Sequence, residues 1–274
     1  MGEVYGYSKR SIGRDLALIG SVGVALILFH FLLSPVTRAR LAFDHGSLDV
    51  VSLYSSAFVH FDASHLLGNV SGYVATTVVA YGLCLKADRR RWFHLTFAGF
   101  LLGLPALVSL TSYAVLGWLY PAITPITRGF SGVGAGFTAF VLLALLISLR
   151  TKHGLMTALY VGVAVWLWLL LEVFLIYGGE SLPVAVAITV TGWGFSGWGL
   201  IDEHSGSEPI DGLARESESV LTVLLVVLLL TLFVYILFPS EPVSDGTVTN
   251  VFAHAAGFGY GLLGAGTTYY LTAS

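Results

Sequence analysis

The apolar residues of the chain form long, nearly unbroken runs separated by short polar stretches. A helix needs about 20 mostly apolar residues to cross the ~30 Å hydrocarbon core of a bilayer, and windows of about 19 residues reveal such segments. The predicted spans are residues 16–33, 65–84, 93–119, 131–149, 155–177, 182–201, 219–238 and 251–271. The pattern therefore predicts an all-α fold, a polytopic transmembrane helical bundle with about eight spans.

Composition agrees with this class. Of 274 residues, 56% are hydrophobic and 11% are charged, which leaves too little polar surface for a soluble globule. The net charge of −3 supplies no basic surface for nucleic acid. The single cysteine, Cys84, excludes an intramolecular disulfide and a cysteine-based zinc site. About fifteen polar or mixed residues precede the first run, so we expect it to be a retained span rather than a cleaved signal peptide.

The basic residues predict the orientation of the bundle. Ten of the 13 fall on one side of the predicted spans: Lys9, Arg10, Arg14, Lys86, Arg89, Arg90, Arg91, Arg150, Lys152 and Arg215. Arg38, Arg40 and Arg128 fall on the other. The positive-inside rule then places both termini in the cytoplasm of a multi-pass protein, and we expect the cell membrane as its location.

Three short motifs lie at the ends of predicted spans. They are HFDASHLLGN at 60–69, GFSG at 129–132 and AHAAG at 253–257. The topology places the start of the second, fourth and last spans at the outer face. A serine, two histidines and an asparagine are therefore expected at one depth in the bilayer.

Ser131 is the candidate nucleophile. It opens a predicted helix, whose unpaired backbone N–H groups and positive dipole end can stabilise a developing oxyanion. Gly129 and Gly132 remove side chains that would block a close approach. The ordinary alternative is a serine hydroxyl bonded to its own helix.

His254 is the candidate general base and acid. A histidine in a transmembrane segment is costly to bury unpaired, so it is a functional-site candidate by default. Small residues at helical spacing follow it and would let two helices pack closely. They are Gly257, Gly261 and Gly264, with Gly132, Gly134 and Gly136 expected to face them from the fourth span.

His65 and Asn69 are four residues apart and so share one helix face. Such a pair suits oxyanion donors, and the alternative is a hydrogen bond between helices. His60 cannot share that face, and we expect it to order the outer loop.

Other polar residues have weaker claims. Ser196 repeats the GFSG motif near the cytoplasmic end of its span and is predicted to be the wrong serine. Glu172 is expected to snorkel to the interface, or else to pair with a polar group near the site. His30, His94, His153 and His204 lack ligand spacing. Residues 34–59 are expected to lie in the membrane interface, and 202–218 to form a flexible cytoplasmic connector.

Taken together, the three motifs resemble those of the rhomboid family of intramembrane serine proteases. The resemblance covers about residues 16–150 and 251–271, and it implies a Ser131–His254 dyad that works without a third acidic residue. It also implies an oxyanion site made by the Ser131 backbone, His65 and Asn69, and it requires no metal or cofactor. The whole chain, 1–274, would be a single membrane-embedded rhomboid-like domain whose six-span core carries an added helical pair, with the inserted helices within 155–238.

The sequence departs from the family pattern at two further points. Val51 and Ser52 stand about where a Trp-Arg pair is often found in the first outer loop. Ala135 occupies the position, four after the serine, where an aromatic residue often packs on the catalytic histidine.

The resemblance implies an endopeptidase that cleaves transmembrane protein substrates near the outer membrane face. Two alternatives stay open at this point. One is a non-proteolytic rhomboid-like protein that binds membrane clients. The other is a small-solute transporter with a histidine proton relay, which predicts a second pseudo-repeated site that residues 155–250 do not contain.

Overall fold

A computed structural model describes residues 3–119, 121, 124–203, 209–240, 243–244, 247–248 and 250–273, with 209–215, 243–244, 247–248 and 273 described by their backbone alone. The described chain is almost entirely helical and contains no extended sheet or barrel. The prediction of an all-α, polytopic helical bundle is confirmed.

Long helices cover every predicted span. The helices are α1 (Lys9–Leu32), α2 (Pro35–Leu41), α3 (Val50–Ser55), α4 (Ala63–Lys86), α5 (Arg90–Leu119), α6 (Ser131–His153), α7 (Leu155–Tyr177), α8 (Leu182–Glu203), α9 (Pro209–Leu237) and α10 (Val251–Ala273). Three antiparallel strand pairs join β1 (Glu3–Val4) to β2 (Tyr7–Ser8), β3 (Phe43–Asp44) to β4 (Ile126–Thr127), and β5 (Val243–Ser244) to β6 (Thr247–Val248).

Within the described residues, seven helices are long and apolar enough to cross a membrane. They are α1 and α4 to α9, and they make the chain a multi-pass membrane protein. The last predicted span is the 23-residue helix α10, which is not among the seven. Its glycines, tyrosines and histidine lower its mean hydropathy while its length still suffices to span.

The outer loop has more structure than the sequence indicates. Residues 34–59 contain α2, β3, α3 and a 3-10 turn at Ser56–Phe58. Ser34 caps α2 by accepting a hydrogen bond from the Thr37 N–H at 3.1 Å. Strand β3 pairs with β4, which precedes Ser131 by only a few residues. The loop is therefore tied to the segment that carries the candidate nucleophile.

The prediction of a flexible connector at residues 202–218 is wrong for most of these residues, which are helical. Helix α8 continues to Glu203, and α9 begins at Pro209, a favourable first helical residue because it lacks an N–H. Residues 204–208 lie outside the described residues. The polar and acidic residues of this segment indicated a loop. In the structure residues 209–218 form the first turns of α9, and the long apolar run of that helix begins only after them.

The chain divides into two compact units. The first comprises Met1–Val141 and Pro242–Ser274, and the second comprises Leu142–Glu241, so the division falls within α6. The first unit packs α10 on α5 and α1 on α4. Hydrogen bonds fix these pairs, from Trp92 Nε1 to the Ala265 carbonyl and from the Tyr73 hydroxyl to the Ile19 carbonyl, both at 2.9 Å.

The second unit packs α7 against α8 and α9. Trp193 Nε1 donates to the Ala164 carbonyl at 3.0 Å, and Trp168 Nε1 donates to Thr231 Oγ1 at 2.8 Å. Glu172 is only 1% exposed, so its predicted snorkelling to the interface is wrong. Both of its carboxylate oxygens are buried without a hydrogen-bond partner, near Trp168 of α7 and Thr231 of α9.

Close backbone contact joins the start of α6 to α10. A Cβ atom on Gly257 would overlap the Gly132 carbonyl oxygen, and one on Gly261 would come within 2.6 Å of the Gly136 carbonyl oxygen. The expectation for Gly134 is wrong, because a Cβ there would meet nothing within 4 Å. Residues two apart point to opposite sides of a helix, so Gly132 and Gly134 cannot both face α10.

Gly264 also differs from its predicted place. A Cβ on it would approach Phe100 of α5 at 3.0 Å, so its neighbour is α5 rather than α6.

We expect Gly257→Ala to destabilise the protein by about 1–3 kcal/mol, because the methyl group forces α10 away from α6. Gly259→Ala is the matched control, since a Cβ there meets nothing within 4 Å and alanine favours a helix. Thermal unfolding of both variants in detergent micelles measures the difference. Equal melting temperatures would contradict the close packing described above.

Candidate active site

Ser131 is the first residue of α6 and follows a tight backbone turn. Gly129 has a φ of +120°, a conformation that side-chain-bearing residues rarely adopt. The Gly129 N–H donates to the Ser56 carbonyl at 2.9 Å, and the Phe130 ring is fully buried between Phe58 and Tyr73. The turn and the anchored ring together fix where α6 begins.

His254 lies in the first turn of α10. Asn250 precedes this helix, and its side-chain Oδ1 accepts a hydrogen bond from the Ala253 N–H at 3.0 Å. His254 is 5% exposed, and its Nε2 lies 2.9 Å from Ser131 Oγ. With its ring proton on Nδ1, the imidazole accepts the Ser131 hydroxyl proton at Nε2. The first turns of two helices thus hold a hydroxyl and an imidazole in hydrogen-bond contact.

His65 lies beside this pair, in the first turn of α4. Asp62 caps the helix by accepting the His65 N–H at 2.8 Å, and this bond lowers the pKa of the Asp62 carboxyl. A Cβ on Gly129 would lie 2.7 Å from His65 Cε1, so the imidazole packs directly on the glycine backbone. Glycine at 129 is needed both for its φ and for this contact.

Asn69 lies one turn further along α4 and is 9% exposed. Its Nδ2 donates to the His65 carbonyl at 2.7 Å, and its Oδ1 is buried without a hydrogen-bond partner. Asn69 does not line the cavity that His65 and Ser131 share. In this arrangement the amide acts on the His65 backbone rather than on a group inside the cavity.

His60 supports the nucleophile turn from outside the cavity. It is fully buried, and its Nε2 accepts a hydrogen bond from the Phe130 N–H at 3.4 Å. Burial, together with the neighbouring His65, lowers the pKa of His60 to about 3. The ring therefore stays neutral and remains an acceptor for the backbone next to Ser131.

A cavity of about 620 Å³ opens at these residues. Its lining includes Ser131, His254, His65 and the Arg128 side chain. The hydroxyl of Ser112 also lines it and is buried without a hydrogen-bond partner, as is the Asn250 amide nitrogen. Unpaired polar groups of this kind are normally satisfied by water, so the cavity is suited to hold it.

Two outer-loop residues near the site escaped the sequence analysis. His45 Nε2 lies 3.1 Å from Thr127 Oγ1, and the His45 N–H donates to the Pro125 carbonyl at 3.1 Å, which ties the loop to β4. Arg38 donates to His30 Nδ1 at 2.8 Å and to the His60 carbonyl at 3.4 Å. Arg38 lies in the short helix α2 and His45 directly follows β3, and segments this short carry no periodic pattern that would have marked them.

The remaining candidates are not among the residues that line the cavity. Ser196 is in α8 of the second unit, and its hydroxyl is buried without a hydrogen-bond partner. His94 lies 3.0 Å from an Asp15 oxygen, and His153 lies 3.2 Å from Glu216. His204 lies outside the described residues. Across the part of the chain that the structure describes, no group of three or more His, Cys, Asp or Glu residues is placed to hold a metal ion.

Comparisons with protein-family models, with curated proteins and with solved structures find no match to this chain. The case for a function therefore depends on the motifs and on the geometry of the site.

The neutral His60 predicts a pH dependence of stability. Its pKa is about 3 in the folded protein and near 6.5 when unfolded, so between these values the unfolded chain binds the extra proton. Stability should fall as the pH drops below about 6.5, by up to about 1.4 kcal/mol per pH unit from this group. His60→Asn should weaken that dependence, as measured by melting temperatures at pH 7.5 and pH 4.5. An unchanged difference between the two pH values would contradict the assignment.

Proposed function

We propose that this protein is an intramembrane serine endopeptidase that cleaves transmembrane proteins near the outer face of the membrane. The observation that supports the proposal most directly is the 2.9 Å contact between Ser131 Oγ and His254 Nε2. The two residues are 123 positions apart in sequence, and both come from motifs that resemble those of rhomboid proteases. A serine hydroxyl held against an imidazole is the arrangement required for nucleophilic catalysis.

In the first chemical step, Ser131 Oγ attacks the carbonyl carbon of the scissile peptide bond while His254 Nε2 removes the hydroxyl proton. The tetrahedral intermediate collapses as the carbon–nitrogen bond breaks. The imidazolium of His254 gives its proton to the leaving amine. The products are a free amino terminus and an ester between the substrate and Ser131.

In the second step, water attacks the ester carbonyl and His254 again accepts a proton. The carbon–oxygen bond to Ser131 breaks, and the serine oxygen recovers a proton from His254. The unpaired polar groups of the cavity, on Ser112 and Asn250, are suited to keep water near this ester.

The negative charge that develops on the substrate oxygen needs donors. The Ser131 N–H belongs to the first turn of α6, where backbone N–H groups have no helical partner. The His65 imidazole lines the same cavity and is fixed against Gly129. We assign these two groups to the oxyanion site and Asn69 to the positioning of His65.

The orientation inferred from the basic residues completes the proposal. Both termini would be cytoplasmic in the cell membrane, and the cavity would open towards the outer face. The segment α2 to β3, which is tied to β4, is the candidate gate for a substrate helix.

The client-binding alternative requires no contact between Ser131 and His254, so the observed geometry favours the enzyme. The transporter alternative gains no support from the described residues, because no histidine–asparagine pair recurs in the second unit.

The proposal is tested with purified protein and a model transmembrane substrate in liposomes. We expect Ser131→Ala and His254→Ala each to lower cleavage by at least about a thousandfold, since either change removes the nucleophile or its base. Ser196→Ala is the matched control and should cleave as the wild type does. A folded wild type that cleaves no substrate in a broad panel, and does not react with a fluorophosphonate probe, would support client binding instead.

The oxyanion assignment makes a separate prediction. His65→Ala should lower kcat on the order of 100-fold with little change in KM, because its contact forms with the transition state. Melting temperature should be recorded on the same samples. A loss of activity that only follows a loss of folded protein would assign His65 a structural role.

A further inference from the structure

A second pocket, of about 350 Å³, lies at the other end of α5, in the first unit. It is bordered by β2, by the first turns of α5 and by the end of α10. The helical rise of 1.5 Å per residue separates it from the active-site cavity by roughly 30 Å along α5. Its lining is Tyr7, Asp88, Arg89, Arg90, Arg91, Trp92, His94 and Thr272.

Arg90 is held in one orientation by a buried carboxylate. Its Nε and Nη2 donate to the two oxygens of Asp15 at 2.7 and 2.9 Å. The Tyr81 hydroxyl donates to the same carboxylate at 2.6 Å, and His94 Nε2 lies 3.0 Å from it. Both oxygens of the Asp15 carboxylate therefore have partners, and the Arg90 guanidinium is held in one orientation.

Arg89 and Arg91 supply the further positive charge of the pocket. The Arg89 guanidinium lies 5.7 Å over the Tyr269 ring, and its buried Nε has no hydrogen-bond partner. Among the described residues, neither arginine has an ion-pair partner. The one carboxylate among the lining residues, Asp88, accepts the Tyr7 hydroxyl at 2.6 Å. With Asp15 offsetting Arg90 and Asp88 offsetting one further charge, the pocket keeps a net positive charge.

We propose that this pocket binds the phosphate group of an anionic membrane lipid. Guanidinium groups present paired N–H donors that match phosphate oxygens, and fixed guanidinium groups lose little freedom on binding. The pocket lies where α4 and α10 end and α5 begins, on the side that carries most of the basic residues. In the predicted topology this is the level of the lipid head groups. The orientation of the protein in the membrane explains why positive charge lies on this side. It does not explain why three arginines line one pocket, or why Asp15 holds one of them in place.

The test is lipid retention by the full chain, measured by native mass spectrometry after release from detergent. The probes are phosphatidylglycerol and phosphatidylcholine, with inorganic phosphate as a competitor. Arg89→Gln combined with Arg91→Gln removes the free charges and leaves the Arg90 pair with Asp15 intact. Arg10→Gln combined with Arg150→Gln is the matched control, because it removes two charges on the same predicted side but outside the pocket.

We expect the wild type to retain phosphatidylglycerol in a one-to-one complex in preference to phosphatidylcholine. The amount of phosphatidylglycerol retained should fall about tenfold in the Arg89/Arg91 variant and stay unchanged in the control variant. Equal loss in both variants would show diffuse attraction by net charge and overturn the proposal. Equal retention of phosphatidylcholine would overturn it as well.

Two further measurements separate a lipid site from a site for free phosphate, and loss of the site from unfolding of the variant. Displacement of the lipid by inorganic phosphate at equal concentration would show a site for free phosphate and not for lipid. If the double variant unfolds, the single change Arg91→Gln, at an exposed side chain, should still weaken retention. None of these measurements depends on proteolysis, so the lipid site and the proposed protease function stand or fall separately.

Discussion

The position of His254 relative to Ser131 depends on how closely two helix backbones can approach. At Gly257 and Gly261, helix α10 lies so near α6 that a single methyl group would collide with a carbonyl oxygen. Larger residues at these positions would hold the helices several ångströms further apart, beyond the reach of an imidazole for a serine hydroxyl. The glycines are therefore as necessary to the hydrogen bond as the two residues that form it.

A second layer of support comes from the backbone before α6. The positive-φ turn at Gly129, the His60 acceptor and the β3–β4 pair each fix part of the segment that leads into Ser131. The α10 side depends on the Asn250 cap and on the packing of α10 against α5. Two separate sets of contacts thus position the Ser131 hydroxyl and the His254 imidazole.

Much of this arrangement could be predicted from sequence. Apolar runs longer than a bilayer is thick determine where the long helices lie, and residue types with known chemistry marked Ser131, His254 and His65. The α2–β3–α3 segment could not be predicted, because two-residue strands and one-turn helices carry no periodic signal. The burial of Glu172 could not be predicted, because it follows from the packing of α7 against α8 and α9, which the sequence does not show. The prediction that Gly134 faces α10 is wrong because α6 has 3.6 residues per turn, which places Gly134 on the side opposite Gly132 and Gly136.

The order of the elements along the chain has a consequence for biosynthesis. Ser131 emerges from the ribosome long before His254, and all of the second unit is made between them. Because α10 follows the other nine described helices, a nascent chain holds Ser131 in the membrane without His254 until α10 inserts. Under the proposed function, a polypeptide whose synthesis stops before α10 would be harmless to neighbouring membrane proteins, since the insertion of α10 would itself be the activating event.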